Sequence, residues 1–181
     1  LFVIVISIPI VTIGPVLAAL FYTMMKFSEN EDGYLVKTFW NELKHLFFVR
    51  VAVSLIYTAI IAATVYVIQF WYSFQNIFGM MLAIIFFLFL CMTITAMLIS
   101  LARTQYFGTI KSYIRDGYLF IFISLKEAVA ILAIPVLLIG FSIFQETVLY
   151  FMGIIGISLM GYALALLFHK MFSKVEKKHE V

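Results

Sequence analysis

Charge is what this sequence has least of. Only 12% of its 181 residues are Asp, Glu, Lys or Arg, while 65% are hydrophobic. A soluble domain carries roughly twice that charge and is nearer half apolar, and it has no means of hiding so much apolar surface. A bilayer removes the difficulty, because hydrocarbon is then the solvent. Cysteine is nearly absent too. The single Cys91 excludes an intrachain disulfide, and its setting in FFLFLCMTIT is that of a small packed hydrophobe. The histidines (His45, His169, His179) do not stand at ligand spacing from one another, from the cysteine or from a carboxylate, so no metal site and no cofactor are expected. No phosphate-binding loop, GxSxG, HExxH or Rossmann glycine pattern occurs. Ser and Thr lie in the apolar stretches, but no histidine or carboxylate shares their depth to act as a base. A membrane enzyme is therefore the last-ranked reading. A net charge of +3 gives no reason to expect nucleic acid as a partner.

What is present is a series of long apolar runs. Crossing the hydrocarbon takes about 20 residues of helix. Leu1–Met25, Val49–Tyr72, Phe78–Ala102, Glu127–Phe144 and Thr147–Phe168 meet or approach that length. The predicted fold is all-α, a polytopic membrane bundle of about five spans forming a single domain over residues 1–181. Leu1 falls inside an apolar stretch, so the expectation is that the true N-terminus lies upstream. Pro9 and the Gly14-Pro15 pair interrupt the first run. Residues 1–25 are either one kinked helix or a span ending near Thr12 followed by a short helix, and the second reading is preferred.

All twelve Lys and Arg residues fall in the intervals Lys26–Arg50, Arg103–Lys126 and Lys170–Lys178. Basic segments stay inside, so these intervals and the basic tail 170–181 are placed in the cytoplasm, with short outer connections. Between the first two runs, Val36, Phe39, Trp40, Leu43 and Phe47 recur at helical spacing, opposite Lys37, Asn41, Glu42, Lys44 and His45. This predicts an amphipathic helix over 36–48, lying in the inner interface with its aromatic face in lipid. Docking of that face on a partner protein is the alternative. Ser124-Leu-Lys-Glu127 has capping-box spacing ahead of the fourth span, which Pro135 should kink. Arg103–Asp116 reads as an extension of the third span, stopped at Gly117.

Small and polar residues form stripes on three spans: Ser54, Thr58, Ala62 and Gln69; Thr93, Ala96, Ser100 and Arg103; and Gly153, Gly161 and Ala165. Helix packing explains such stripes. A polar path between the second and third spans is the functional alternative, weakened by the lack of a mid-membrane ionisable group.

The segment Ser7-Ile-Pro-Ile-Val-Thr-Ile-Gly-Pro-Val-Leu-Ala-Ala-Leu-Phe-Tyr22 resembles the start of the YesL-like family of small bacterial membrane proteins without assigned activity. The acidic turn, the Lys37-Thr-Phe-Trp40 opening of an amphipathic helix and the basic tail are similar in order. In that resemblance Thr12, Gly14, Pro15 and Ala18 shape a break between helices. It implies a bacterial cytoplasmic membrane protein with its C-terminus inside, encoded near carbohydrate-uptake genes. It further implies an accessory or regulatory subunit of a carbohydrate importer of the ATP-binding-cassette (ABC) type. The partners would be membrane lipids and the importer's permeases, with its ATPase or sugar-binding protein as further candidates. Gly153, Gly161 and Ala165 are the candidate lateral contact, and Arg103, Lys111 and Arg115 the candidate inner contact. An independent oligomeric transporter or channel is the alternative.

Overall fold

A backbone surrounded by hydrocarbon must satisfy its own hydrogen bonds, and helix does so within one segment. The computed structural model describes residues 2–28, 35–104, 106, 108–144 and 157–179. Among the described residues the regular structure is entirely helical: α1 (Phe2–Ser28), α2 (Leu35–Lys44), α3 (Phe47–Tyr72), α4 (Ile77–Arg103), α5 (Ile110–Ile123), α6 (Leu125–Phe144) and α7 (Ile157–His179).

Helices α3 and α4 have 26 and 27 residues. At 1.5 Å per residue each is about 40 Å long, more than the roughly 30 Å of hydrocarbon to be crossed. Both are apolar enough to span a membrane as single helices, and the α5–α6 pair adds a third span if its two bent halves are counted together. α1 is a helix of 27 residues that is apolar through most of its length. Part of the expected fifth span, residues 147–156, lies outside the described residues.

α3 and α4 form an antiparallel hairpin closed by four residues. Gln75 adopts a positive φ of 47°, and the Asn76 side chain caps α4 by accepting a hydrogen bond from Gly79 N at 2.6 Å. Asn76→Ala should cost about 0.5–2 kcal/mol, as for other lost N-caps. Asn76→Asp should retain most of the stability, and thermal unfolding in detergent reads the difference.

The core gathers at the basic end of this hairpin. Phe21 of α1, Val53 and Tyr57 of α3, Ala96 and Ile99 of α4, Tyr113 and Phe120 of α5, Ile131 of α6, and Leu164, Phe168 and Met171 of α7 are all buried. At the other end Tyr66, Ile77, Phe78, Ile84 and Leu88 are exposed, an apolar surface suited to lipid.

Several expectations are corrected. α1 is one helix that runs through Pro9 and Gly14-Pro15, without the preferred break near Thr12. Membrane helices tolerate proline where neighbouring helices support them, and both Gly14 and Pro15 are buried. α4 stops at Arg103, and the segment after it is a separate helix with its own capping box between Thr109 and Ser112. Gly117 lies inside α5 and does not end a helix. Ser124 Oγ makes no hydrogen bond, so the expected Ser124–Glu127 capping box is not formed. Ser124 instead marks a 106° bend between α5 and α6. Backbone hydrogen bonds meet at this residue from both sides, with Ser124 N donating to Phe120 O and Ala128 N donating to Ser124 O. The basic tail continues α7 through His179, and its first part is core, since Met171 and Phe172 are buried.

Candidate functional site

The polar chemistry of the described residues converges where α2, α3, α4 and α5 meet. Arg50 sits in the first turn of α3 with a side chain at 0% exposure. Burying a guanidinium without partners costs several kcal/mol, so each of its donors needs an acceptor. Nε donates to Thr104 Oγ1 at 3.0 Å, Nη1 to the backbone carbonyl of Glu42, and Nη2 to Glu42 Oε1. Thr104 Oγ1 in turn donates to Leu101 O at 2.7 Å. One side chain thus ties the end of α2 and the end of α4 to the start of α3. The corner between α2 and α3 is made by Leu46 in the left-handed region (φ 52°), which lets Glu42 fold back eight residues to meet Arg50.

A second tie lies one to two turns deeper. Tyr57 OH and Ser100 Oγ are 2.8 Å apart, and Ser100 Oγ donates to the carbonyl of Tyr113 at 2.9 Å. Gly117 permits this approach. A Cβ added there would overlap Ser100 Oγ and lie 2.7 Å from Ala96 O. Tyr118 OH reaches Thr93 Oγ1 at 3.4 Å. The third cluster is Arg103, whose guanidinium carbon lies 5.1 Å from the ring centroids of Tyr106 and Phe120 and 5.8 Å from that of Phe172. Its Nε is 3.6 Å from Asp116 Oδ2, and Arg115 Nη2 is 3.3 Å from Asp116 Oδ1. Asp116 therefore serves two arginines.

These groups hold helices together. The other hydroxyls of the spans bond to their own helix: Ser54 to Val51 O, Thr58 to Ser54 O, Thr64 to Ile60 O and Thr95 to Cys91 O. Ser54 and Thr93 are buried, whereas Thr58, Ala62 and Gln69 face outward, so the two stripes do not join into one polar path. Among the described residues no three His, Cys, Asp or Glu side chains converge on a metal-sized site.

The residues singled out by sequence separate into three groups. Gly14, Pro15 and Ala18 are buried, and Thr12 is half-buried. Gly14 lies so close to Ser54 that a Cβ there would overlap it, and the same Cβ would be 3.2 Å from Arg50 O. The motif thus makes the α1–α3 crossing and not a break in the chain. Gly161 and Ala165 are buried, and a Cβ on Gly161 would come within 3.0 Å of Leu20 on α1. That part of the stripe is taken up inside the chain, and Gly153 lies outside the described residues. Gly161→Leu is accordingly expected to destabilise the isolated protein by about 1–3 kcal/mol, as overpacking does. A detergent melt of the purified variant, with no partner present, should show the loss. In the third group Lys111 and Arg115 are exposed on α5, while Arg103 is half-buried among its rings.

Sequence reading missed Arg50 and Glu42. It placed Glu42 on the polar face of the amphipathic helix and used Arg50 only as the end of a basic inner interval. The available signal was the immediate setting of Arg50, FFVRVAVS, where apolar residues flank it on both sides and leave a charge no open face.

The helices and their ties define a helical membrane protein held together at one end by buried polar links. Residues 1–68 match a family model described as Protein of unknown function, DUF624. The matched segment spans α1, α2 and most of α3, so it contains the Gly14–Ser54 crossing and the Glu42–Arg50 pair. No curated protein and no solved structure matches the chain.

Proposed function

We propose that this chain is a non-catalytic accessory subunit of a larger membrane assembly, seated in a bacterial cytoplasmic membrane with its basic end inside. The assembly is a carbohydrate importer of the ABC type, as the YesL-like resemblance implies. The observation that carries the subunit reading is α5. This helix is fixed to the bundle through Tyr113, Gly117 and Asp116, yet it presents Lys111 and Arg115 outward, with Arg115 at 69% side-chain exposure. A preorganised basic surface loses little conformational freedom on meeting an acidic one, which favours a protein contact. The buried Arg50, Tyr57 and Ser100 also support the reading, since they are engaged in ties between helices.

A mild-detergent pull-down of the tagged protein from its native membrane, followed by mass spectrometry, tests the proposal. Stoichiometric recovery of importer permeases or an ATPase is the expected result. Recovery of the protein alone would reject it.

One observation favours the second reading, an independent transporter. The 106° bend at Ser124 leaves a buried hydroxyl without a hydrogen bond, and broken helices line substrate sites in many transporters. Substrate-dependent flux in liposomes holding only this protein would establish that alternative.

A further inference from the structure

The amphipathic segment 36–48 divides in a way that its periodicity did not show. Phe39, Leu43 and Phe47 are half-buried, whereas Val36 and Trp40 are 71% and 55% exposed. The Glu42–Arg50 pair explains the rotation. Successive helical residues are about 100° apart, so Trp40 and Lys44 each lie about 200° from Glu42, and Val36 falls on the same stripe as both. Pinning the Glu42 side chain inward, where it is 13% exposed, turns the Val36–Trp40–Lys44 stripe outward. Phe48 is likewise exposed, in the first turn of the membrane-spanning α3.

We propose that Val36 and Trp40 insert into the bilayer at the boundary between headgroups and acyl chains, and that the Glu42–Arg50 pair is the pin that sets this rotation of α2. Tryptophan and lysine together suit that boundary: the indole sits at headgroup level, and the lysine stem lies along apolar surface while its ammonium reaches water. The driving force is apolar burial and not headgroup charge. Over residues 26–50 of the sequence the cations Lys26, Lys37, Lys44 and Arg50 are balanced by Glu29, Glu31, Asp32 and Glu42, so anionic lipid is not specifically attracted. The inference stands apart from the importer partner proposed above, because it concerns the protein and lipid alone.

The test uses the full chain with Trp71→Phe, which leaves Trp40 as the sole tryptophan, in phosphatidylcholine vesicles. Lipid brominated high on the acyl chain should quench roughly half of the emission, as expected for a side chain buried 5–10 Å into the interface. Adding phosphatidylglycerol should change little. Quenching by acrylamide and not by bromolipid would overturn the proposal, as would shielding from both, which would mean that protein covers α2. Glu42→Gln should lower the lipid quenching while helix content is retained, and unchanged quenching would refute the pin. If Glu42→Gln does not fold, the rotation is read from sole tryptophans introduced as Val36→Trp or Leu43→Trp in the Trp40→Phe, Trp71→Phe background. Position 36 should be quenched by lipid and position 43 protected, and equal quenching would count against the assignment.

Discussion

Arg50→Met is expected to destabilise the folded protein by about 3–5 kcal/mol, the usual consequence of removing one partner from a buried ion pair. The side chain at this position is wholly buried, and its loss strands the Glu42 carboxylate, takes the side-chain donor from the Glu42 carbonyl and leaves the Thr104 hydroxyl only its bond to Leu101 O. The penalty comes from the groups left behind, which the interior solvates poorly. Methionine nearly matches the arginine stem in volume, so little of the effect should come from a cavity. A second variant separates the electrostatic cause from packing. Arg50→Met combined with Glu42→Leu removes both charges, and such apolar replacements are often neutral or stabilising. The double variant should recover most of the loss of the single one. Unfolding in detergent, followed by helix content, gives the comparison. Equal destabilisation of single and double variants would show that the stranded carboxylate is not the source.

Gly117→Val is the second substitution with a large expected effect. Even an alanine Cβ would overlap Ser100 Oγ and lie 2.7 Å from Ala96 O and 2.9 Å from Tyr57 OH. The serine has an alternative rotamer, but the carbonyl of Ala96 belongs to α4 itself and cannot move without the helix. Separating α5 from α4 would break the hydrogen bond from Ser100 to the Tyr113 carbonyl and the longer one from Tyr57 OH to Ile114 O. Overpacking alone costs about 1–3 kcal/mol, and each buried polar group left unsatisfied adds about 1–3 kcal/mol. Gly117→Ala should be milder and Gly117→Val should fail to give a monodisperse protein. Normal yield and melting of Gly117→Val would mean that α5 is not docked as described.

Much of the architecture follows from features that a sequence displays directly. α3 and α4 were legible because long uninterrupted apolar runs have one physical solution in a bilayer, and their ends agree with the expected spans to within two residues. The amphipathic helix was legible over 36–44 for the same kind of reason, since its apolar residues keep a 3.6-residue period, but the expected continuation to 48 is broken by the turn at His45–Leu46, and Phe47 and Phe48 open α3. What periodicity does not encode is which neighbour a polar group meets. Arg50 looked like one more basic residue of an inner interval, and only the fold-back at Leu46 brings Glu42 to it. Gly117 looked like a stop because a glycine after a helical stretch often is one. Here it is a contact residue, and nothing local distinguishes the two uses. Ser124 and Glu127 have the spacing of a capping box, but the backbone at Ser124 turns so sharply that the hydroxyl points elsewhere. The stripe containing Gly161 and Ala165 has the small residues of a close-packing surface, and sequence reading offered it to a partner protein. Its partner turned out to be α1, which sequence spacing alone does not choose.

The central claim is that α5 is a contact surface for another protein, and photo-crosslinking in the native membrane tests it most directly. A photoreactive amino acid is placed at Arg115 and, as a control, at the exposed Tyr66 of α3. The prediction is a discrete protein adduct from position 115, identified by mass spectrometry as an importer subunit. That adduct should be lost on Lys111→Glu, and position 66 should capture lipid. If position 115 yields no protein adduct while the protein is folded and abundant, α5 is not the contact surface and the subunit reading fails with it.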